Sequence, residues 1–132
     1  MRVGSASWSI DVSSEWSVTD HPECLTLEAS DQGALQVSSA HKQAGPVVEE
    51  DLLLFADQHD SWGKSEPASC GAFDGVVFEY IEGGSSWRRW FLKQGQTLLF
   101  ITYNGTLQAA EREHAAVDHV LSTIRAERSG EA

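Results

Sequence analysis

The period of the apolar residues changes along the chain, and each change predicts a different kind of secondary structure. Near the start, Trp8, Ile10 and Val12 alternate with polar residues, and the alternation returns on both sides of the turn sequence 31–33. A period of two is typical of strands that bury one face. The first third of the chain is therefore predicted to form short strands.

A first helix is predicted after Pro46, because proline suits the first helical turn and the acidic residues 49–51 complement the helix dipole. Gly63 suits the end of this helix. Its apolar stripe consists of Val48, Leu52, Phe55, Ala56 and His59. Val47 and Leu54 project away from that stripe, so they are either exposed to solvent or covered by a second body.

From residue 70 onward the period returns to two. Glycine-containing turns separate three predicted strands, near residues 76–81, 87–93 and 97–103. Apolar side chains occupy both faces of these strands, so the sheet needs cover on both sides.

The last predicted helix has the clearest periodicity. Its apolar stripe steps by three and four residues through Leu107, Ala110, His114, Val117, Leu121 and Ile124. Thr106 suits the N-cap position. The stripe puts His114 on the core-facing side and predicts that Leu121 and Ile124 are core residues.

Two helices and six or seven mostly antiparallel strands predict an α+β domain, with one sheet flanked by two main helices. Seven strands at about 4.8 Å span roughly 34 Å, whereas one helix covers about 10 Å. Some apolar surface then stays open unless the sheet curls, which favours a partner protein or a homodimer. Residues 1–126 are predicted to form one domain and residues 127–132 a disordered tail.

Composition excludes several classes of function. The 132 residues include 9 Lys and Arg against 20 Asp and Glu, a net charge of −11 that disfavours nucleic acids and anionic membranes. No apolar run is long enough to insert into a membrane, and the N-terminus lacks the apolar segment of a signal peptide. Cys24 and Cys70 are then expected to be reduced thiols, and the protein to be cytoplasmic.

Each candidate catalytic or metal site in the sequence lacks a partner. Glu111 and His114 have the spacing of half a di-iron motif, but a second pair is missing. His59 is flanked by two aspartates, yet no Gly-x-Ser-x-Gly elbow is present to expose a serine. A nucleophilic Cys70 would need a neighbour that lowers its pKa. We therefore expect that the protein is not an enzyme and that it binds no cofactor and no metal.

The segment Trp87-Arg88-Arg89-Trp90 combines the residue types that dominate protein-binding surfaces. In a strand, Trp87 shares a face with Arg89, and Arg88 shares the other face with Trp90. The alternative is a core strand with arginine stems lying over aromatic rings. The predicted protein-binding residues are Trp87, Arg88, Trp90, Val47 and Leu54.

The opening sequence Trp8-Ser9-Ile10-Asp11-Val12-Ser13-Ser14-Glu15-Trp16 resembles the F-x-hydrophobic-x-V-P-x-x-W entry of PsbP-like domains, a superfamily that includes the bacterial DcrB group. A serine stands where the family has proline. The strand at 75–80 and the closing helix at 117–125 are also similar. The resemblance implies an antiparallel sheet between helices and no catalytic residues, and some bacterial members act as dimeric chaperones or adaptors for toxins.

Taken together, the sequence favours a non-enzymatic, cytoplasmic protein-binding module of the adaptor, chaperone or immunity type. The alternative is a small-ligand-binding or enzymatic domain whose site is dispersed in sequence. A deep pocket with convergent polar groups would favour the ligand, and a broad apolar groove would favour a protein.

Overall fold

The structure, a computed structural model, describes residues 2–4, 8–13, 16–20, 24–28, 33–41, 45 and 65–126. Within these residues lie ten strands and one helix. The strands are β1 Arg2–Gly4, β2 Trp8–Asp11, β3 Ser17–Asp20, β4 Leu25–Glu28, β5 Ala34–His41, β6 Glu66–Cys70, β7 Phe73–Glu82, β8 Ser85–Gln94, β9 Thr97–Thr106 and β10 Arg125–Ala126, and the helix is α1 Leu107–Leu121.

Seven of the strands form one antiparallel sheet in the order β3-β4-β5-β9-β8-β7-β6. It consists of two runs of consecutive strands joined where β5 pairs with β9, from Ala34 opposite Asn104 to His41 opposite Thr97. Tight glycine turns connect the three longest strands, with positive φ at Gly83, Gly84 and Gly95. The three strands predicted between residues 76 and 103 are confirmed as β7, β8 and β9.

A second, three-stranded sheet has the order β1-β2-β10, and it joins the two ends of the described chain. Arg125 pairs with Ser9, and Ala126 pairs with Trp8. This small sheet and α1 contribute side chains to the same core as one face of the large sheet, which we call the first face. The largest fully buried side chains of that core are Tyr103, Phe73, Ile10, Leu27, Leu35, Leu92, Leu99, Ile101, Leu121 and Ile124.

The opposite, or second, face of the large sheet is also apolar, as the sequence predicts. It carries a separate cluster in which Val76, Phe78, Phe91 and Leu98 are all buried. Phe91 packs edge-on against both Phe78 and Phe100, with ring centroids 5.9 Å apart in each pair. Because the four clustered side chains are buried, this part of the second face is not an open docking surface.

Helix α1 begins at the predicted cap, since the Ala109 amide donates to Thr106 Oγ1 at 3.1 Å. Its buried face differs in phase from the predicted stripe. His114 is exposed, whereas the neighbouring Glu113 is buried. The buried residues of the helix are Ala109, Glu113, Val117, Val120 and Leu121.

The predicted α+β class, a single sheet flanked by two main helices as in a PsbP-like sandwich, is wrong. The described chain is mostly β, with two antiparallel sheets and a single helix. The alternating residues near Trp8 do not extend the large sheet but form a second sheet that packs beside α1 on the first face. The predicted first helix, including Val47 and Leu54, and the predicted tail at 127–132 lie outside the described residues.

Candidate functional site

The end of the β7–β8 hairpin carries aromatic and apolar side chains that are partly or fully exposed. We call Tyr80, Ile81, Trp87 and Arg89 the hairpin surface. Tyr80 lies opposite Trp87 in the strand register, and their rings are parallel within 2° at a centroid distance of 6.2 Å. Ile81, on the first face, is 68% exposed.

The local sequence explains why these residues meet. Glu82 pairs with Ser85, so the connection is a two-residue turn of Gly83 and Gly84, both with positive φ. Such turns follow the twist of the strands and hold the register of the hairpin. The period of two then puts Tyr80 and Trp87 on the same face.

Arg89 fixes the aromatic pair in position. Its Nε donates a hydrogen bond of 2.7 Å to the Tyr80 hydroxyl, and its Cζ lies 5.0 Å from the centroid of the Trp87 ring. A guanidinium over an indole face adds a cation–π attraction. The three side chains form an aromatic and cationic ladder across two strands.

Arg88 and Trp90 alternate with Trp87 and Arg89 along β8, so their side chains lie on the first face. Trp90 is 3% exposed in the main core, and the Arg88 guanidinium lies 4.6 Å from the centroid of its ring. This is the predicted alternative, an arginine stem over an aromatic ring. Of the five predicted protein-binding residues, Trp87 alone is both described and partly exposed, because Arg88 and Trp90 are buried and Val47 and Leu54 lie outside the described residues.

Arg88 is the centre of a charged cluster between the sheet and α1. Its Nε lies 3.1 Å from Glu79 Oε1 and its Nη2 lies 2.7 Å from Asp118 Oδ1. Asp118 also contacts His114 Nδ1 at 3.3 Å. The third guanidinium nitrogen, Nη1, is buried and has no hydrogen-bond partner among the described residues. The ion pair with Asp118 joins α1 to β8. Since two carboxylates already neutralise the one guanidinium, the cluster is not a binding site for an anion.

Cys70 is not an activated nucleophile. Burial raises the pKa of its thiol from 9.0 to about 11, a shift that nearby Arg88 opposes and Asp118 reinforces. A protonated, buried thiol reacts slowly. Cys70 on β6 and Cys24 beside β4 are five strand spacings apart, about 24 Å, whereas a disulfide needs Cα atoms within about 7 Å. Both cysteines are free thiols, one buried and one partly buried.

A cleft of about 370 Å³ lies where β2 meets the end of α1. Asp11, Ser13, His119 and Thr123 line it together with apolar side chains. Thr123 is fixed there, because its Oγ1 donates to the Val120 carbonyl at 2.6 Å and accepts from the Asp11 amide at 2.9 Å. Sequence reasoning missed this grouping, and no spacing could have indicated it, since more than a hundred residues separate its two sides.

The described residues include neither a metal-binding cluster nor a membrane-spanning helix. No group of three or more His, Cys, Asp and Glu side chains in this part of the chain could hold a metal ion. No helix of the described segments is long and apolar enough to cross a membrane.

Comparison of the chain with known proteins shows a similarity of fold to a solved structure. No family model matches the chain, and no curated protein matches it. The crystal structure of a protein from Bacteroides thetaiotaomicron VPI-5482 superposes with a TM-score of 0.67 at 15% sequence identity, covering 94% of this chain and 46% of that protein. The chain thus spans about half the length of that protein, and at this identity the likeness concerns the fold alone.

Proposed function

We propose that this chain is a non-enzymatic protein-binding module that contacts its partner through the hairpin surface. The observation that carries the proposal is the ladder of Tyr80, Trp87 and Arg89. It is held together by a hydrogen bond and ring contacts, it is partly exposed, and it is made of the residue types that dominate binding hot spots. Side chains held in one arrangement before binding lose little conformational entropy when a partner docks. The exposed Ile81 extends the same surface around the hairpin end.

We also propose that the module works in the cytoplasm, in the role of an adaptor, a chaperone or an immunity-type protein. One feature supports the compartment. The thiols of Cys24 and Cys70 are free, as is usual for cysteines in a reducing compartment.

A second candidate function, small-ligand binding, is favoured by the cleft between β2 and α1. Its volume of about 370 Å³ falls within the range of roughly 300–1,000 Å³ found for ligand pockets, and four polar side chains line it. A ligand there would be contacted by Asp11 and His119. His119→Ala would then weaken ligand binding without changing partner binding at the hairpin surface.

Affinity purification from the native host, using the parent protein and Trp87→Ala, tests the main proposal. Loss of an anchor tryptophan weakens association by about 2 kcal/mol or more, roughly thirtyfold, so a specific partner should disappear from the Trp87→Ala eluate. Thr19→Ala, an exposed change on the distant strand β3, is the matched control and should retain the partner.

Thermal melting separates binding from folding. Trp87→Ala should melt close to the parent, whereas Trp90→Ala, which truncates a core residue, should lose about 3–5 kcal/mol of stability. A partner retained equally by the parent and Trp87→Ala would contradict the proposal, and so would a Trp87→Ala protein that is as unstable as Trp90→Ala.

A further inference from the structure

The two exposed large hydrophobic residues of the described chain lie at the same end of the large sheet. They are Ile81, 68% exposed at the tip of the β7–β8 hairpin, and Leu107, 49% exposed at the start of α1. Every other large apolar side chain of the described segments is at least partly buried. Exposed apolar residues that are scattered singly over a surface are ordinary, whereas two at the same end of a sheet indicate a contact surface.

The strand register gives the separation of these two residues. Ile81 pairs with Ser86, and Ser86 pairs with Gly105 on the next strand. Two strand spacings put Ile81 and Gly105 about 10 Å apart. Leu107 follows Gly105 by two residues, so one bound segment can contact both apolar side chains.

Carboxylates flank this apolar end. Glu79 shares the first face with Ile81, and its side chain is 58% exposed although it also pairs with Arg88. Glu111 lies one helical turn after Leu107, on the same side of α1, and is exposed. The whole chain carries a net charge of −11, which attracts basic partners and repels acidic ones.

Resting on the proposed function, we infer that the partner segment is basic and carries apolar side chains, which pack on Ile81 and Leu107 while its lysines or arginines face Glu79 and Glu111. An acidic segment would be repelled by the same carboxylates. A second copy of this chain has the same net charge, and its hairpin end would bring carboxylates against carboxylates.

Synthetic peptides test the inference with the 132-residue protein. A fluorescent peptide of alternating leucine and lysine should bind in an anisotropy titration, and it should bind about tenfold more tightly than a leucine–glutamate peptide or a serine–lysine peptide of equal length. Ile81→Ser combined with Leu107→Ser should weaken binding of the leucine–lysine peptide about tenfold.

Charge reversal provides the matched control for non-specific attraction. Glu111→Lys should weaken binding at least about fivefold, whereas Glu28→Lys, the same change at an exposed position on β4, should change it less than about twofold. The inference would be overturned if the two charge reversals weakened binding of the leucine–lysine peptide equally. It would also be overturned if the leucine–glutamate peptide bound the parent as tightly as the leucine–lysine peptide does. A stable dimer of the parent that Ile81→Ser dissociates would overturn it too, because the surface would then serve a second copy.

The two proposals fail differently. If Trp87→Ala loses its partner in the purification while the leucine–lysine peptide binds the Ile81→Ser, Leu107→Ser and Glu111→Lys variants as tightly as the parent, the basic-segment inference is wrong and the protein-binding function stands. If Trp87→Ala retains the partner, the ladder of Tyr80, Trp87 and Arg89 is not the binding site and the proposed function is wrong.

Discussion

Tyr103 donates a buried hydrogen bond of 2.6 Å to Glu113, joining the central strand β9 to helix α1. The two residues are 1% and 4% exposed, and the second carboxyl oxygen of Glu113 has no partner in the described structure. Gly33 closes over the pair, since a Cβ atom there would lie 2.1 Å from Glu113 Oε1. The bond explains how an acidic residue can occupy the buried side of a helix.

Tyr103→Phe should destabilise the fold, because it removes the donor and leaves a buried carboxyl group unsatisfied. The expected loss is about 1–3 kcal/mol in the free energy of unfolding, measured by urea denaturation. Glu111→Gln, an exposed change two residues away on the helix, should stay within about 0.5 kcal/mol. Adding Glu113→Met to Tyr103→Phe should restore part of the loss, because both polar partners are then gone. A Tyr103→Phe midpoint equal to that of the parent would show that the bond contributes nothing.

Gly71→Ala should cost more than Gly95→Ala, although both glycines have nearly the same left-handed backbone. Their φ angles are +60° and +59°, so the conformational cost of a side chain is about equal. A Cβ at Gly71 would lie 2.1 Å from the Ile124 carbonyl oxygen, whereas nothing lies within 4 Å of one at Gly95. The steric difference should amount to about 1–3 kcal/mol in paired urea titrations. Equal losses would mean that the turn after β6 does not pack tightly on the end of α1.

Leu121→Ala and Leu107→Ala compare one residue type at two positions of the same helix. Leu121 is 1% exposed in the main core, so truncation should lower the free energy of unfolding by about 2–5 kcal/mol. Leu107 is exposed, and its truncation should change stability by less than about 0.5 kcal/mol. Differential scanning calorimetry would show the contrast, and a large loss for Leu107→Ala would indicate that this leucine is covered.

The Cys70 thiol should make stability fall as the solution becomes alkaline. Its pKa is raised from 9.0 to about 11 in the folded protein, so the unfolded chain loses this proton first as the pH rises. The contribution of Cys70 is therefore fully present below pH 9 and disappears between pH 9 and 11, a change of about 2–3 kcal/mol at most. Between pH 9 and 11, the free energy of unfolding measured in urea should fall less steeply with pH for Cys70→Ala than for the parent. A slope for Cys70→Ala equal to that of the parent would contradict this prediction.

Local periodicity was enough to predict several elements. Alternating apolar residues between glycine turns predicted the locations of β7, β8 and β9. The same alternation assigned Trp87 and Arg89 to one face of the sheet and Arg88 and Trp90 to the other. The cap at Thr106 and the core positions of Val117 and Leu121 followed from helical spacing. These features depend on neighbours within a few residues, which is the range over which a sequence pattern carries information.

The phase of α1 could not be read from its own residues. An apolar stripe through His114 and one through Glu113 differ by about 100° on the helix, and the apolar pattern favoured His114. Tyr103, which lies on another element, makes Glu113 the buried residue by hydrogen bonding to it. Sequence alone does not state which strand residue will face which helix residue.

By itself, the sequence determined the positions and faces of the long central strands, the start of the last helix and the acidic character of the chain, because each depends on local spacing or on composition. Only the tertiary structure decided that the chain ends form a second sheet, that a helix and this sheet share the first face, and that Arg88 and Trp90 are interior while Ile81 is exposed. These outcomes require contacts between residues far apart in the chain, such as Trp8 with Ala126. Such contacts are chosen by the packing of the whole fold, so no short pattern specifies them.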